Sequence, residues 1–279
     1  MSAPARTIAR PVTIRGTGIH TGEEAVVTLA PAERPGAGVV FVVGGQEIPA
    51  RASNVADTAR CTVLGRPNGA SVATVEHLLS ALSGSGITDC RVAVEGPEIP
   101  IGDGSAGLWI EALAGAGIAV PGEEVAPLLL EEPVVLAGAN GAFIAAFPAH
   151  SLRMTVAVTF AHPLVGTQVA RFDPARGEDY ATQIAPARTF GFIEEVEALR
   201  AAGLARGGTL ENAVVVYPDH YSVPLRFPDE LARHKLLDLI GDLALVGRPL
   251  IADVVAVRPS HRLNTDFARV LETHVGDAL

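Results

Sequence analysis

Residues 233–242 read RHKLLDLIGD, and this stretch predicts a helix that is buried on nearly all sides. On a helix of 3.6 residues per turn, His234, Asp238 and Asp242 fall on one narrow stripe, because each step of four residues turns the side chain by only about 40°. Leucine and isoleucine occupy most of the remaining surface, which is typical of a helix inside a protein. The stripe therefore predicts a site, since an imidazole and a carboxylate four residues apart can bind one metal ion.

The composition describes a globular protein that is acidic overall. The chain has 279 residues, of which 48% are hydrophobic, and a formal net charge of −10. This length fits one large domain or two domains of ordinary size, and the charge argues against nucleic-acid binding through a broad basic face. Two cysteines, Cys61 and Cys90, make no disulfide framework, and no signal peptide or membrane-spanning run is visible. We therefore expect a cytoplasmic protein.

Hydrophobic periodicity predicts an α+β protein, because strands and helices follow one another without regular β-α-β alternation. The predicted strands are Thr7–Ile14, Glu24–Leu29, Val39–Val43, Glu47–Ala50, Cys90–Val94, Leu128–Leu136, Ala142–Phe147, Arg153–Phe160, Ala213–Tyr217 and Leu250–Val257. The predicted helices are Ser71–Leu82 with Thr74 as N-cap, Gly107–Ala116, Ile193–Ala202, Asp229–Val246 and Leu263–Thr273. The polar, turn-rich residues 121–124 predict a domain boundary, with one domain over 1–122 and the other over 123–279.

A third potential metal ligand lies at the start of an earlier predicted helix. Residues 74–77 read TVEH, so Glu76 and His77 can border one cavity without both binding the metal. With His234 and Asp238, His77 would leave one position of a zinc ion open for water, which is the arrangement of catalytic zinc sites. Glu76 and His261 are then the available general base and acid.

Each of these motifs also has a purely structural interpretation. Glu76 suits the first turn of a helix, where the helix dipole stabilises a carboxylate. His261 stands in a loop, where histidines are usually solvated, and Asp103 belongs to a tight turn in which its carboxylate can accept from backbone amides. The stripe on residues 229–246 can be the solvated face of an amphipathic helix, although it is narrow for that purpose.

Six short motifs occur in an order that resembles the UDP-3-O-acyl-N-acetylglucosamine deacetylases, the zinc amidases of lipid A biosynthesis. They read GIHTG at 18–22, TVEHL at 74–78, EIPIGDGS at 98–105, ARTFGF at 187–192, HKLLDLIGD at 234–242 and SHRLN at 260–264. The resemblance runs nearly end to end. Two positions depart from it, since Ser260 stands where glycine is usual and Gly102 where a bulkier residue is common.

The resemblance implies a role for each polar side chain of the site. Three side chains are the implied Zn²⁺ ligands: His77, His234 and Asp238. Glu76 is the implied general base. His261, oriented by Asp242, is implied to stabilise the intermediate and to protonate the amine, and Thr189 to hydrogen-bond the oxyanion.

The implied substrate is UDP-3-O-acyl-N-acetylglucosamine, from which acetate is removed. Lys235 is implied to contact this substrate and Phe190 to pack on the sugar ring. The segment 189–216 is implied to enclose the acyl chain. The apolar composition of this segment also favours an acyl-binding role, although an ordinary core position is the better interpretation for Leu199. The residues predicted to bind the acyl chain are Phe190, Phe192, Leu199, Leu204 and Leu210.

The implied fold has two similar α+β domains, each a β-sheet with two helices, packed helix layer to helix layer around the site. Each domain carries a small insert, the second a β-α-β unit at about 189–216. We expect a monomer. Two alternatives stay open: a zinc deacetylase of another acylated or N-acetylated sugar, and a catalytically silent relative that binds a nucleotide-sugar or a partner protein.

Overall fold

Two mixed sheets and the helices between them make up the protein. The computed structural model describes residues 3–201 and 205–273, without the side chains of Glu197, Leu199 and Arg200. The α-helices are α1 (Glu76–Gly84), α2 (Gly107–Ala116), α3 (Tyr180–Gln183), α4 (Ile193–Ala201), α5 (Glu230–Leu243) and α6 (His261–Thr273). The protein is therefore α+β, as predicted.

The strands are more numerous than the sequence predicts. Those before α2 are β1 (Ala3–Pro4), β2 (Thr7–Ile8), β3 (Val12–Thr17), β4 (Glu24–Ala30), β5 (Val39–Val43), β6 (Gln46–Pro49), β7 (Val55–Asp57), β8 (Val63–Gly65), β9 (Ser71–Val72) and β10 (Cys90–Glu95). Those after α2 are β11 (Ile118–Ala119), β12 (Glu124–Val125), β13 (Leu128–Leu129), β14 (Val134–Ala137), β15 (Phe143–Pro148), β16 (Arg153–Thr159), β17 (Thr167–Phe172), β18 (Phe190–Phe192), β19 (Val214–Val216) and β20 (Leu250–Val257).

The same arrangement of strands occurs in both large sheets. The first has the order β3-β4-β10-β5-β6, in which β10 runs antiparallel to β4 and parallel to β5. The second has the order β14-β15-β20-β16-β17, in which β20 runs antiparallel to β15 and parallel to β16, and β13 also pairs with β20. In each sheet two hairpins therefore flank a central strand, and this central strand follows the four hairpin strands in the sequence.

Alternating burial along the strands gives each sheet one face that packs on the helices. Residues of β20 alternate between buried and half-buried along its whole length, because successive side chains point to opposite faces. Along α5, by contrast, only Arg233 and Lys235 are not buried. The six large apolar side chains of α5 contribute on the order of 10 kcal/mol of gross transfer free energy. This confirms the prediction of a buried helix.

Helix α5 crosses α1 at very short range. A Cβ atom added at Gly241 would lie 2.1 Å from the Glu76 carbonyl oxygen, so only glycine permits this approach. Helix α2 packs against α1 and β3, and α6 packs against α5 and β15. The two halves of the chain therefore meet through α1 and α5, the helices that carry the predicted metal ligands.

Smaller units extend the two halves. Strands β7, β8 and β9 form a small sheet ahead of α1, and β18 and β19 form a parallel pair that α4 connects, ahead of α5. Strands β1 and β2 pair with β12 and β11, so the start of the chain is held by residues 118–125. Along the described part of the chain, no helix combines the length and apolar character needed to cross a membrane.

The predicted helix Ser71–Leu82 is wrong at its start. Residues 71–72 pair with β8, and α1 begins at Glu76. Thr74 is not its N-cap; it adopts a φ of 62°, and its hydroxyl donates to Glu98 at 2.8 Å. That left-handed conformation is unusual for a β-branched residue. A tertiary hydrogen bond to a buried carboxylate therefore overrides the local capping preference at this position.

Other predicted boundaries need smaller corrections. The predicted strand Leu128–Leu136 is interrupted by a bend at residues 131–132, which leaves β13 and β14 as separate strands. Helix α6 begins at His261, two residues earlier than predicted, so this histidine belongs to the first turn of a helix. The predicted end of α4 at Ala202 lies outside the described residues.

Candidate active site

Three predicted ligands come together where α1 and α5 cross. Ligand atoms of His77, His234 and Asp238 all lie within 4.8 Å of one another, and all three residues are buried. The Nε2 atoms of His77 and His234 lie 3.9 and 3.4 Å from Asp238 Oδ1. The spacing within α5 predicts the pairing of His234 with Asp238. The fold adds His77 from α1, a helix far away in the sequence.

Backbone carbonyls orient both imidazoles. The Nδ1 atom of His234 is 3.1 Å from the Ala187 carbonyl oxygen, and that of His77 is 3.5 Å from the Ser105 carbonyl oxygen. A carbonyl only accepts, so each ring carries its proton on Nδ1 and presents an unprotonated Nε2 to Asp238. Metal-binding histidines are commonly fixed in this way.

The electrostatics of the cluster fit a divalent cation. Asp238 Oδ1 is buried and has no hydrogen-bond partner among the described residues, whereas Oδ2 accepts from Lys235 Nζ at 2.9 Å. Burial, together with His234, lowers the pKa of His77 to about 3, so its imidazole is neutral. Burial alone would raise the pKa of Asp238, but the basic side chains around it together outweigh burial and hold this pKa below its usual range; they are His234, Lys235, His261 and His77. Two neutral imidazoles and one ionised carboxylate form the ligand set of a catalytic Zn²⁺ site.

Glu76 borders this cluster from the first turn of α1. Its side chain is buried, its Oε2 accepts from the Thr62 amide at 3.0 Å, and its Oε1 lies 3.9 Å from His261 Nε2. Burial is the largest cause that raises the pKa of Glu76 to about 7, and the carboxylates of Asp242 and Asp238 add to it. A carboxyl group with this pKa can accept a proton near neutral pH.

His261 faces Glu76 and is held by a fully buried carboxylate. Its Nδ1 lies 3.0 Å from Asp242 Oδ2, and Asp242 also accepts from Thr62 Oγ1 at 2.5 Å and from Asn264 Nδ2 at 2.9 Å. Burial alone would lower the pKa of His261, but Asp242, Glu76 and Asp238 outweigh it and raise this pKa to about 9. At neutral pH the side chain is therefore an imidazolium, with Nε2 3.9 Å from Asp238 Oδ2.

A cavity of about 350 Å³ opens onto these groups. The predicted site residues that line it are Glu76, His77, Thr189, Phe190, Phe192, Leu210, His234, Lys235, Asp238 and His261. Asp242 does not line it, because it lies behind His261. The side chain of Leu199 and the whole of Leu204 lie outside the described residues.

One end of the cavity is aromatic. The rings of Phe160 and Phe192 have centroids 5.1 Å apart, and those of Phe160 and Phe190 5.7 Å apart. Lys235 Nζ lies 5.7 Å from the Phe190 ring centroid, between this apolar end and Asp238. Phe160 has no predicted role in the sequence, where it only closes a strand, and only the tertiary structure brings it to the cavity.

Two further buried groups organise the site without being predicted. Thr62 bonds both Asp242 and Glu76, yet no motif marks it. Glu98 is fully buried and accepts from the amides of His20 and Thr21 at 3.0 and 2.8 Å, and from the hydroxyls of Thr21 and Thr74. Glu98 thereby fixes the loop at residues 18–22 beside the cavity. It is the first residue of the motif at 98–105, so that motif could have indicated its role.

The turn interpretation of the same motif is correct for Asp103. Its Oδ1 accepts from the amide and the hydroxyl of Ser105, at 3.1 and 2.6 Å. Its Oδ2 accepts from Arg226 at 2.6 Å. Asp103 therefore stabilises the loop whose Ser105 carbonyl orients His77.

Comparison with known proteins gives matches along nearly the whole chain. Residues 5–273 match the family model described as LpxC, UDP-3-O-acyl N-acetylglycosamine deacetylase. A UDP-3-O-acyl-N-acetylglucosamine deacetylase of Thermosynechococcus vestitus is 46% identical over 272 residues, which cover 95% of this chain and 93% of the relative. Proteins of the same name from Anaeromyxobacter dehalogenans and Synechocystis are 46% and 42% identical, over 93% and 94% of this chain and 84% and 96% of theirs.

Proposed function

The chain belongs to the UDP-3-O-acyl-N-acetylglucosamine deacetylase family, and we propose that its buried His77–His234–Asp238 cluster is the zinc centre at which the reaction occurs. The protein is an amide hydrolase that removes acetate from UDP-3-O-acyl-N-acetylglucosamine in lipid A biosynthesis. One observation carries the assignment of the site: a buried carboxylate oxygen of Asp238 has no hydrogen-bond partner in the described residues and faces two imidazole nitrogens.

Zinc would supply Lewis acidity, lowering the pKa of a water and polarising the acetamide carbonyl. The chain's own groups move the protons. Glu76, whose pKa lies near 7, takes a proton from the attacking water. His261 donates a proton from Nε2 to the amine nitrogen as the C–N bond breaks, so the products are acetate and a free amine.

Asp242 has a positioning role in this scheme. Its contact with His261 Nδ1 leaves Nε2 as the atom that faces the cavity, and its charge favours the protonated ring. Thr189 lines the same cavity, and in this proposal its hydroxyl donates to the oxyanion that forms when water adds to the carbonyl. Imidazolium and hydroxyl together stabilise the charge that develops on the substrate.

The aromatic end of the cavity takes the acyl chain, and Lys235 and Phe190 contact the sugar beside the metal ligands. Phe160, Phe192 and Leu210 supply apolar surface there. Burial contributes about 0.8 kcal/mol per CH₂ group, so a chain of about ten carbons gains up to about 8 kcal/mol. Ordering of the chain removes part of this gain, and several kcal/mol remain for recognition.

Release of acetate from UDP-3-O-acyl-N-acetylglucosamine, measured with and without a chelator, tests the proposal. We expect activity that a chelator abolishes and that added zinc restores. UDP-N-acetylglucosamine without the acyl chain serves as the matched substrate, and its kcat/KM should be at least about a hundredfold lower. Equal kcat/KM values would point to a different N-acetylated sugar as substrate. No acetate release from either compound by zinc-loaded protein would make the chain a silent relative.

The proposal extends to the compartment, the oligomeric state and the partners of the enzyme. We place the enzyme in the cytoplasm, since both cysteines are free and buried. We propose that it acts as a monomer of two domains that divide between residues 122 and 123, in the segment that joins β11 to β12, and that residues 189–216 form the insert over the acyl chain. The net charge of −10 argues against nucleic acid as a partner.

A further inference from the structure

A second cavity lies at the opposite end of the helices that hold the active site. Its volume is about 370 Å³, slightly more than the 350 Å³ of the catalytic cavity, and no described residue lines both. Arg6, Leu82 and Asp89 line it from the first half of the chain, and Arg248 and Leu250 from the second. We call it the distal cleft.

Helix α1 connects the two cavities. Glu76 and His77 in its first turn line the catalytic cavity, whereas Leu79, Leu82 and Ser83 line the distal cleft. At 1.5 Å per residue, Glu76 and Ser83 are about 10 Å apart along the helix axis. On the other half of the chain, Ala244 and Gly247, which follow α5, line the facing wall. The cleft is therefore distinct from the active site and lies between the two halves.

Two arginines in the cleft lack an anionic partner among the residues that the structure describes. Neither Arg6 nor Arg248 forms an ion pair with any acidic residue that the structure describes, and Arg6 Nε is buried without a hydrogen-bond acceptor. The nearby carboxylate of Asp89 hydrogen-bonds other groups instead. Its Oδ1 accepts from the Gly38 amide at 2.7 Å, and its Oδ2 accepts from the Thr88 hydroxyl at 2.6 Å. In a chain with a net charge of −10, two unpaired guanidinium groups at one cavity indicate a site for an oxyanion.

Most of the remaining wall of the cleft is apolar. Leu79, Leu82 and Ile87 are buried, and Val39 and Leu152 are half-buried beside them. An inorganic anion would leave this surface without a partner, whereas a hydrocarbon chain attached to the anion would cover it. Small-molecule sites typically combine such apolar walls with a few convergent polar groups, in volumes of about 300–1,000 Å³.

We propose that the distal cleft binds a small amphiphilic anion, with a carboxylate or phosphate head between Arg6 and Arg248 and an acyl or similar hydrocarbon chain on the apolar wall. Such a ligand contacts both halves of the protein at once. Because it binds the folded state, it raises the melting temperature of the protein, by an amount that grows with the logarithm of its concentration once this exceeds the Kd.

Titration of the zinc-loaded protein with decanoate, decyl phosphate, decanol and inorganic phosphate tests the proposal. We expect the two amphiphilic anions to bind and to raise the melting temperature, and the neutral alcohol and the free phosphate to bind at least about tenfold more weakly. A preference for decanoate or for decyl phosphate identifies the head group. Equal binding of decanol and decanoate would overturn the role of the arginines.

Variants and a crystal structure separate this cleft from the acyl end of the catalytic cavity. Arg6→Gln and Arg248→Gln should each weaken decanoate binding at least about tenfold while deacetylase activity stays normal. Arg15→Gln, which changes an exposed arginine on β3, is the matched control and should bind normally. Bromine density from a brominated decanoate is expected in the distal cleft. Density in the catalytic cavity alone, or unchanged binding in both cleft variants, would refute the proposal.

Discussion

Replacing Gly241 by alanine perturbs the contact that brings the two ligand-bearing helices together. The new Cβ would lie 2.1 Å from the Glu76 carbonyl oxygen and 2.8 Å from its carbonyl carbon. Ordinary contacts between carbon and oxygen are longer than about 3 Å, so α1 and α5 have to separate by about 1 Å. The obstacle is backbone rather than the end of a flexible side chain, so no rotamer change relieves it.

The expected effect on stability is small, and the effect on activity is large. Overpacking typically costs about 1–3 kcal/mol, and the higher helix propensity of alanine offsets about 1 kcal/mol of it. The net loss of up to about 2 kcal/mol lowers the melting temperature by about 2–4 °C. In contrast, a displacement of about 1 Å between catalytic groups costs about a hundredfold in rate. The distances between a metal ion and its ligands tolerate an even smaller displacement, of about 0.2 Å.

The measurements are kcat/KM for acetate release, bound zinc and the melting temperature. Gly115→Ala is the matched control, because Gly115 lies in α2 with no atom within 4 Å of the new Cβ. It should raise stability by about 0.4–1 kcal/mol and leave activity unchanged. If Gly241→Ala kept normal zinc content and kcat/KM and gained stability as the control does, the close crossing would not set the geometry of the site.

Three further predictions concern the roles within the site. Asp238→Asn should lose bound metal and activity together, whereas Glu76→Gln should keep the metal and lose about 10²–10⁴-fold in rate; equal metal content in the two variants would contradict this division. The pH profile of kcat/KM should rise as Glu76, with a pKa of about 7, loses its proton, and fall as His261, with a pKa of about 9, loses its own. A bound cation moves both limbs to lower pH, and Asp242→Asn should move the alkaline limb further in that direction, since it removes a negative neighbour; an unmoved limb would argue against His261. Phe160→Ala should lower kcat/KM for the acylated substrate but not for UDP-N-acetylglucosamine, and an equal loss for both would place Phe160 outside the acyl site.

The features that the sequence predicts well depend on local periodicity. The buried helix α5 follows from the apolar residues around His234 and Asp238, and β20 from the alternation in residues 250–257. The pairing of an imidazole and a carboxylate on one helix face also needs no tertiary information. The spacing of four residues therefore brings this part of the cluster together before the rest of the fold is known.

The features that could not be predicted depend on contacts between distant residues. Thr62 reaches Asp242 across 180 positions of the chain, and Thr74 takes its left-handed conformation beside Glu98, 24 residues away. Neither contact leaves a periodic signal. The common strand order of the two sheets is hidden for the same reason, since it depends on which strands pair and not on the residues of any one strand.

The late position of each central strand has a consequence for synthesis of the chain. While the ribosome elongates the chain from residue 50 to residue 89, the two completed hairpins of the first sheet have no strand between them, and β4 and β5 each present an open edge. The same situation returns for β15 and β16, whose partner β20 arrives only at residues 250–257. Open strand edges are templates for aggregation, and pairings between distant segments form slowly. The newly made protein should therefore be most vulnerable to aggregation just before β20 is made, and chaperone binding in that interval should raise the yield of folded enzyme, whereas slower translation there should lower it.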